Sequence, residues 1–397
     1  MKNKVNYATV FAFILLLIAF FYIGVLAPKD EEALKRENRE LTPMPTLSKE
    51  TILSGSFSKD FENYLADNVG FRSYFMDFSS SITALKGVEI ESGKVVSTKK
   101  DLGVGTAGEG SLWIQGDRIM EVYKADNVTR DAYVEMLNGY AEALPENVRI
   151  FSMLAPTQIE FNNSENLADS QKETIDYVYT NMSDRIESVD VYGALEKHKD
   201  EYVFFRTDHH WTQKGAFYAY QTFVKQALGK DTKLSDYQVQ SADGFLGTLY
   251  DQINDLSLKK YADTIEWFDF GKNYEIEATA FENEQFVNYK GVIYNVPQST
   301  EMPKYAKIFM CGDHPFAKIT TDNKNGKTLL VIKDSYANAL IPLLTQDYET
   351  VLVVDPRNYY GKVTELVAEY NVDDCLIESY IFTTTFADII QLMNQIR

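Results

Sequence analysis

Lys327-Thr-Leu-Leu-Val-Ile-Lys-Asp-Ser335-Tyr-Ala-Asn-Ala-Leu340 is the stretch whose reading decides the fold. Four consecutive apolar residues, Leu329 to Ile332, read as a short strand buried on both faces, the pattern of a parallel sheet covered by helices. The strand runs straight into Asp334-Ser335 and then into a helical pattern over about 336–346. A serine at that junction sits at a strand's C-terminal end and a helix's N-terminus, where free N–H groups favour developing negative charge. Asp-Ser before a helix is also an ordinary N-cap, and alone the pair reads more naturally that way.

Working outward, α and β patterns alternate. A helix over about 128–144 leads to a strand from Val148 to Leu154, a helix over about 166–185 and a strand-like Val189 to Tyr192. An aromatic helix follows over about 212–228. Beyond 327–340 come Val351 to Val354, a helix over about 362–370, a strand at Cys375 to Ile377 and a terminal helix from Ala387 to Ile396. Such alternation predicts an α/β fold with a mostly parallel sheet. Residues 240–300 differ: Thr264 to Phe270 and Tyr274 to Ala278 alternate at period two and read as a β-rich, antiparallel insertion.

The N-terminus predicts topology. Tyr7 to Ala27 is uncharged, follows Lys2 and Lys4, and precedes Pro28-Lys29-Asp30-Glu31-Glu32. Such a run can span a bilayer as a single-pass transmembrane helix, with the lysine end in the cytoplasm and the rest outside. A cleaved signal peptide is the rival, but no A-x-A site closes the run. The expected organisation is a cytoplasmic tip and signal anchor over 1–27, a charged stalk over 28–50 and an extracytoplasmic domain over 51–397. An interrupted amphipathic helix with an aromatic stripe is expected from Ser56 to about Leu85, broken near Gly70.

Composition excludes some partners. With 58 acidic and 39 basic residues the net charge is −19, which repels a nucleic-acid backbone. Gly103-Val-Gly-Thr-Ala-Gly-Glu-Gly110 lacks the Lys-Ser/Thr ending of a P-loop and reads as a turn between short strands. Cys311 and Cys375 lack zinc-ligand spacing; they can form one disulfide or pack as two small apolar residues.

A second constellation supplies what the serine needs. Phe204-Phe205-Arg206-Thr207-Asp208-His209-His210-Trp211-Thr212 holds two of the four histidines. An imidazole acts as general base near neutral pH, and a carboxylate on its Nδ1 fixes the tautomer. In an extended stretch Asp208 and His210 leave the backbone on one side, with His209 opposite, packed or hydrogen-bonded to the scaffold. A metal needs further ligands, and the remaining histidines, His198 and His314, are remote in sequence, so no metal is expected. Ser335, His210 and Asp208 together supply the three roles of acyl transfer.

The tetrad Asp208-His209-His210-Trp211 resembles the name-giving motif of the DHHW family, whose members are similar to the SGNH-like alginate O-acetylation proteins. In those relatives Asp-x-His precedes the serine, and the order Asp208, His210, Ser335 is the same. Lys333-Asp334-Ser335 stands where ordinary SGNH hydrolases have Gly-Asp-Ser. The resemblance implies an SGNH-hydrolase-like three-layer sandwich and acetyl transfer to an extracellular or cell-wall polysaccharide. It also implies no bound cofactor, with acetyl supplied by a donor relay through a multipass membrane O-acyltransferase partner. A carbohydrate esterase uses the same triad with water in place of the sugar. A non-catalytic carbohydrate-binding or assembly protein keeps the fold without the chemistry.

Secondary candidates for oxyanion or substrate contacts are Gly312 and His314 in Cys311-Gly-Asp-His-Pro315, Asn338 one turn beyond Ser335, and Arg357 and Tyr360 after the Val351–Val354 strand. Each has a plain structural alternative: a strand-ending turn, a solvent-facing amide, or a surface ion pair.

Overall fold

Thr328–Ile332 is an interior strand of an eight-stranded sheet, and all five of its residues are buried. The computed structural model describes residues 2–22, 44–53, 56–68, 74, 78, 82, 93–101, 107–253, 256–282, 285–295, 304–310 and 312–397. Its strands are β1 (Lys94–Asp101), β2 (Ala107–Gln115), β3 (Arg118–Glu121), β4 (Arg149–Ala155), β5 (Ile186–Ser188), β6 (Gln238–Phe245) and β7 (Asp263–Asp269). They continue as β8 (Glu275–Glu282), β9 (Gln285–Val292), β10 (Phe316–Thr320), β11 (Thr328–Ile332), β12 (Thr350–Val354) and β13 (Asp374–Tyr380).

The main sheet has the order β5-β4-β13-β11-β12-β10-β8-β9. The five strands from β5 to β12 in that order are parallel, whereas β12/β10, β10/β8 and β8/β9 are antiparallel. The sheet is therefore mixed: a five-stranded parallel part continues into three antiparallel strands. The expected insertion accounts for part of the difference: β6 and β7 form a separate two-stranded ribbon, but β8 and β9 extend the main sheet. A period-two pattern records that one face is buried and says nothing about which sheet a strand joins.

Both faces of the parallel strands are covered. Leu329, Val331, Val351, Val353 and Leu376 pack with the aromatic helix Gln213–Leu228. Leu330, Ile332, Leu352, Val354 and Ile377 pack on the other side with helices Asn127–Ala143, Val363–Tyr370 and Ala387–Ile396. That alternation within each apolar run makes a helix-sheet-helix sandwich. Two expected elements are replaced. Val191–Lys197 is a helix, because the Asp190 carboxylate accepts the Gly193 N–H and caps it before a strand at Val189 to Tyr192 can form. The helix over 336–346 is a 3₁₀ turn, Ser335–Ala339, followed by one short turn, Ile341–Leu344, with Pro342 in its first positions.

The chain divides into two compact units, residues 1–90 with 251–259, and residues 91–250 with 260–397; the sandwich belongs to the second. In the first, Ser56–Asn68 is helical, and Phe57, Phe61 and Tyr64 stack along one side with centroids 5.6 and 6.0 Å apart. Gly70, the expected stalk over 28–43, Gly103 to Thr106 and Cys311 lie outside the described residues. Cys375 is a free, buried thiol. The N-terminal helix runs Lys2–Phe21, and among the described residues no helix is long and apolar enough to cross a membrane. Residues 23–27 of the expected span lie outside the described residues.

At the end of the sheet away from Ser335, Arg149 grips the buried Asp374 with Nε and Nη2 at 2.8 Å each, and the Tyr348 hydroxyl donates to the same carboxylate at 2.7 Å. Asp374→Ala strands a buried phenol and leaves the guanidinium half-paired. The urea midpoint should fall by the equivalent of about 2 kcal/mol, with turnover per folded molecule unchanged; an unaltered midpoint refutes this account of the strand ends.

Candidate active site

Residues 204–211 fold back on themselves. Phe204 and Trp211 form an isolated antiparallel bridge, and the Phe205 N–H reaches the His210 carbonyl at 3.3 Å. The turn is pinned from beneath by Asp263, the first residue of β7, which is fully buried. Its carboxylate accepts the Arg206 N–H at 2.9 Å, the Thr207 N–H at 2.8 Å and the Thr207 hydroxyl at 2.6 Å. Burial pushes the Asp263 carboxyl above its usual range, and those donors oppose the rise.

Out of this turn stand Asp208 and His210. Asp208 Oδ1 lies 2.6 Å from His210 Nδ1 and also accepts the His210 N–H at 2.9 Å. Its Oδ2 accepts the Thr248 N–H at 2.8 Å and the Thr248 hydroxyl at 3.2 Å. Burial works against the charge, yet the two imidazoles and these donors outweigh it and hold the carboxyl well below its ordinary range. Gly247 makes the arrangement possible: a Cβ there would stand 2.2 Å from the Asp208 Cβ and 2.4 Å from Oδ2.

His210 Nε2 lies 2.8 Å from Ser335 Oγ. The ring is stacked on Tyr305, centroids 4.0 Å apart and planes within 14°. The N-cap role that competed for Ser335 falls to Asp334. One Asp334 oxygen accepts the Tyr336 N–H at 2.9 Å and the other accepts the Tyr380 N–H at 2.8 Å, so the serine hydroxyl is left to the histidine. Burial raises the Asp334 carboxyl, with those two amides opposing. Ser335 is half-buried, open on one side.

His209 departs from expectation. The segment is bent, not extended, so the alternation of side chains fails and the His209 and His210 rings sit 3.8 Å apart. His209 Nδ1 meets the Thr248 hydroxyl at 2.7 Å, which is the scaffold bond expected of it. Asp208, His209 and His210 bring one potential metal-ligand atom each within 4.8 Å. His210 Nδ1, however, is already bonded to Asp208, and its Nε2 to Ser335, so a metal would have to break that relay.

The secondary candidates are distributed unevenly. Asn338 is fully buried and does not face solvent; its Oδ1 accepts Lys333 Nζ at 2.8 Å, and its Nδ2 donates to Asp313 at 2.8 Å. Arg357 turns inward, with Nε 2.8 Å from Asp355 Oδ1 and Nη2 3.1 Å from Asp313 Oδ2. Lys333 ties these together, 2.6 Å from Asp313 and 3.4 Å from the buried Asp355. Burial pushes Asp313 up, but Lys333 and Arg357 hold it far below the usual carboxylate range. Gly312 has φ +120, and with Met310 at φ +64 it forms a left-handed turn that favours glycine at 312. Its N–H makes only a long 3.4 Å bond to the Phe309 carbonyl. His314 is buried and donates through Nε2 to the Met310 carbonyl at 2.8 Å, away from Ser335; burial lowers its pKa. Tyr360 is 69% exposed.

Sequence reasoning missed Lys333, Asp313, Asp355, Tyr305, Thr248 and Gly247. Only Lys333 left a local trace, as a charge wedged between an apolar strand and Asp-Ser.

Among solved structures the chain is similar to a DHHW family protein from Eubacterium siraeum, at 27% identity and TM-score 0.62 over 71% of this chain and 94% of that one. PatB1 of Bacillus cereus has a similar fold at 20% identity and TM-score 0.61, over 71% and 99% of the two chains. Its sulfonyl-adduct form gives 19% and 0.61 over 71% and 98%. The O-acetyltransferase domain of AlgJ from Pseudomonas putida is more distant, at 12% identity and TM-score 0.40 over 70% and 97%. No curated protein matches the chain. The DHHW protein family model matches residues 94–354, and the chain belongs to that family.

Proposed function

We propose that this protein transfers an acyl group, acetyl in the reading that its family resemblance favours, to hydroxyls of an extracellular or cell-wall polysaccharide through an acyl-Ser335 intermediate. The observation that carries the proposal is the unbroken relay from Asp208 through His210 to Ser335, at 2.6 and 2.8 Å. His210 Nε2 takes the Ser335 proton as Oγ attacks the donor's acyl carbonyl, and returns it to the donor's leaving group. A sugar hydroxyl then attacks the acyl-serine while His210 takes its proton. Collapse of the tetrahedral adduct gives the sugar ester and reprotonates Ser335. Asp208 keeps Nδ1 protonated and steadies the imidazolium. The Ser335 N–H makes no hydrogen bond among the described residues, which suits it to the oxyanion. Gly312 lies in the turn whose next residue, Asp313, bonds Lys333, and is the proposed second donor.

No cofactor enters these steps. An exported domain cannot draw on cytoplasmic acetyl-CoA, so the donor is delivered by a relay, with a multipass membrane O-acyltransferase as the proposed partner. The N-terminal helix is the proposed tether, single-pass with Lys2 and Lys4 in the cytoplasm. Its apolar side chains are exposed around it, Phe11 at 64%, Leu16 at 52% and Phe20 at 63%, and the uncharged run continues to Ala27.

A fluorophosphonate should label Ser335 in the intact protein, and labelling should fall by at least about a hundredfold in His210→Ala. With an activated acetyl ester and an oligosaccharide, acetylated sugar is the expected product. Free acetate alone would indicate an esterase, and no labelling above background would leave a carbohydrate-binding scaffold. Gly247→Ala forces Asp208 aside and should lower kcat for the activated ester by about a hundredfold, with the fold intact by circular dichroism. An unchanged kcat would show that the Asp208 position does not govern the chemistry.

A further inference from the structure

The antiparallel end of the main sheet carries a second polar surface away from Ser335. Ala317, Ile319, Ile276 and Ala278 point into one core cluster, so their alternating neighbours take the opposite face, where Phe316 is half-buried against the second cluster and Glu277, Asn288 and Lys290 are exposed. The registers align those neighbours in two rows across the strands, Phe316 beside Thr279 and Asn288, and Lys318 beside Glu277 and Lys290. Tyr370, at the end of helix Val363–Tyr370, closes one side and makes the surface a cleft of about 390 Å³.

The cleft's chemistry is that of a sugar site. The Phe316 and Tyr370 rings, 6.4 Å apart, offer apolar plates to the C–H faces of a pyranose. The Thr279 hydroxyl and Asn288 amide, together with the lysine ammoniums, offer hydrogen bonds to its hydroxyls. Both of its lysines are paired: Lys318 lies 3.5 Å from Glu277, and Lys290 lies 2.6 Å from Glu275, which stands outside the lining. That pairing fits a neutral polymer and leaves a polyanion little attraction. The Phe316 end of the cleft lies toward the sheet edge that carries Ser335. Phe316 pairs with Val354, level with Ile332 at the end of β11, and the chain before Phe316 leads through Pro315 and His314 to Asp313, which bonds Lys333 beside Ser335.

We infer that this cleft binds a neutral glycan chain and holds the acceptor polysaccharide while one of its hydroxyls reaches Ser335. The inference rests on the polysaccharide-acylation reading for its purpose, but not for its test. Binding of cellohexaose and chitohexaose is measured by titration calorimetry on the full chain in detergent carrying Ser335→Ala, so that no turnover intervenes. At least one hexaose should bind; adding Tyr370→Ala should weaken it by about tenfold, and Asn288→Ala, at an exposed residue whose Oδ1 accepts the Thr279 hydroxyl at 3.2 Å, by a few-fold. In the otherwise native protein the same two substitutions should leave turnover of a small activated ester unchanged. Unaltered binding in both variants, binding of neither hexaose, or tighter binding of polygalacturonate than of both overturns the cleft. Hexaose binding that depends on Tyr370 in a protein inert toward the activated ester leaves the cleft standing and removes the acyl-transfer reading instead.

Discussion

Three hydrogen bonds in near register lace residues 210–213 to residues 335–339: His210 to Ser335 at 2.8 Å, the Trp211 indole N–H to the Tyr336 carbonyl at 2.8 Å and the Gln213 amide to the Ala339 carbonyl at 3.1 Å. The Tyr336 hydroxyl closes the lacing by donating to the His209 carbonyl. A bond between an imidazole and a half-exposed hydroxyl contributes about 1 kcal/mol net and could not by itself hold two loops in place. The indole and amide donors are fully buried, where leaving them unmade is costly, so they set the register that the reacting pair inherits. The tryptophan of the tetrad is thus structural in a specific sense: it fixes where the serine's own backbone lies relative to the neighbouring imidazole.

This explains what could be read from the sequence. That Asp208, His210 and Ser335 meet was legible by residue type, because few side chains suit the proposed roles of orienter, base and nucleophile, and because two short segments hold all three. The apolar runs at 329–332 and 351–354 announce the sheet for an equally local reason, burial on both faces. What stayed hidden was set at long range. Asp263 pins the 206–207 turn from 56 residues away, and Gly247 is needed only because the Asp208 carboxylate passes close by. Nor does periodicity disclose that β8 and β9 join the main sheet while β6 and β7 do not. The His209 orientation failed for a related reason, since pinning the turn bends a stretch that the alternation rule treats as extended.

The cluster around Lys333 follows from one substitution relative to the Gly-Asp-Ser pattern. A lysine in place of glycine puts a long side chain, 2% exposed, directly before Asp334 and Ser335. A buried ammonium is tolerable only with carboxylates at hand, and Asp313 and Asp355 supply them while Arg357 balances the second negative charge. Residues on three separate segments thereby become one body. Asp313, next to Gly312, is held to the end of the serine's strand through Lys333.

The mixed character of the sheet matters for the same region. Because β10 runs antiparallel to β12, its beginning and not its end lies at the edge where Ser335 sits. A parallel strand there would deliver its following loop to that edge and bury its start at the far end. The antiparallel one delivers the preceding loop, with Gly312 and Asp313, and then sets Phe316 beside Tyr370 of helix Val363–Tyr370. A single reversal of strand direction therefore brings Asp313 to Lys333, two residues before Ser335, and starts the Phe316 side of the cleft from the same end of the sheet. The five-stranded parallel core alone supplies neither.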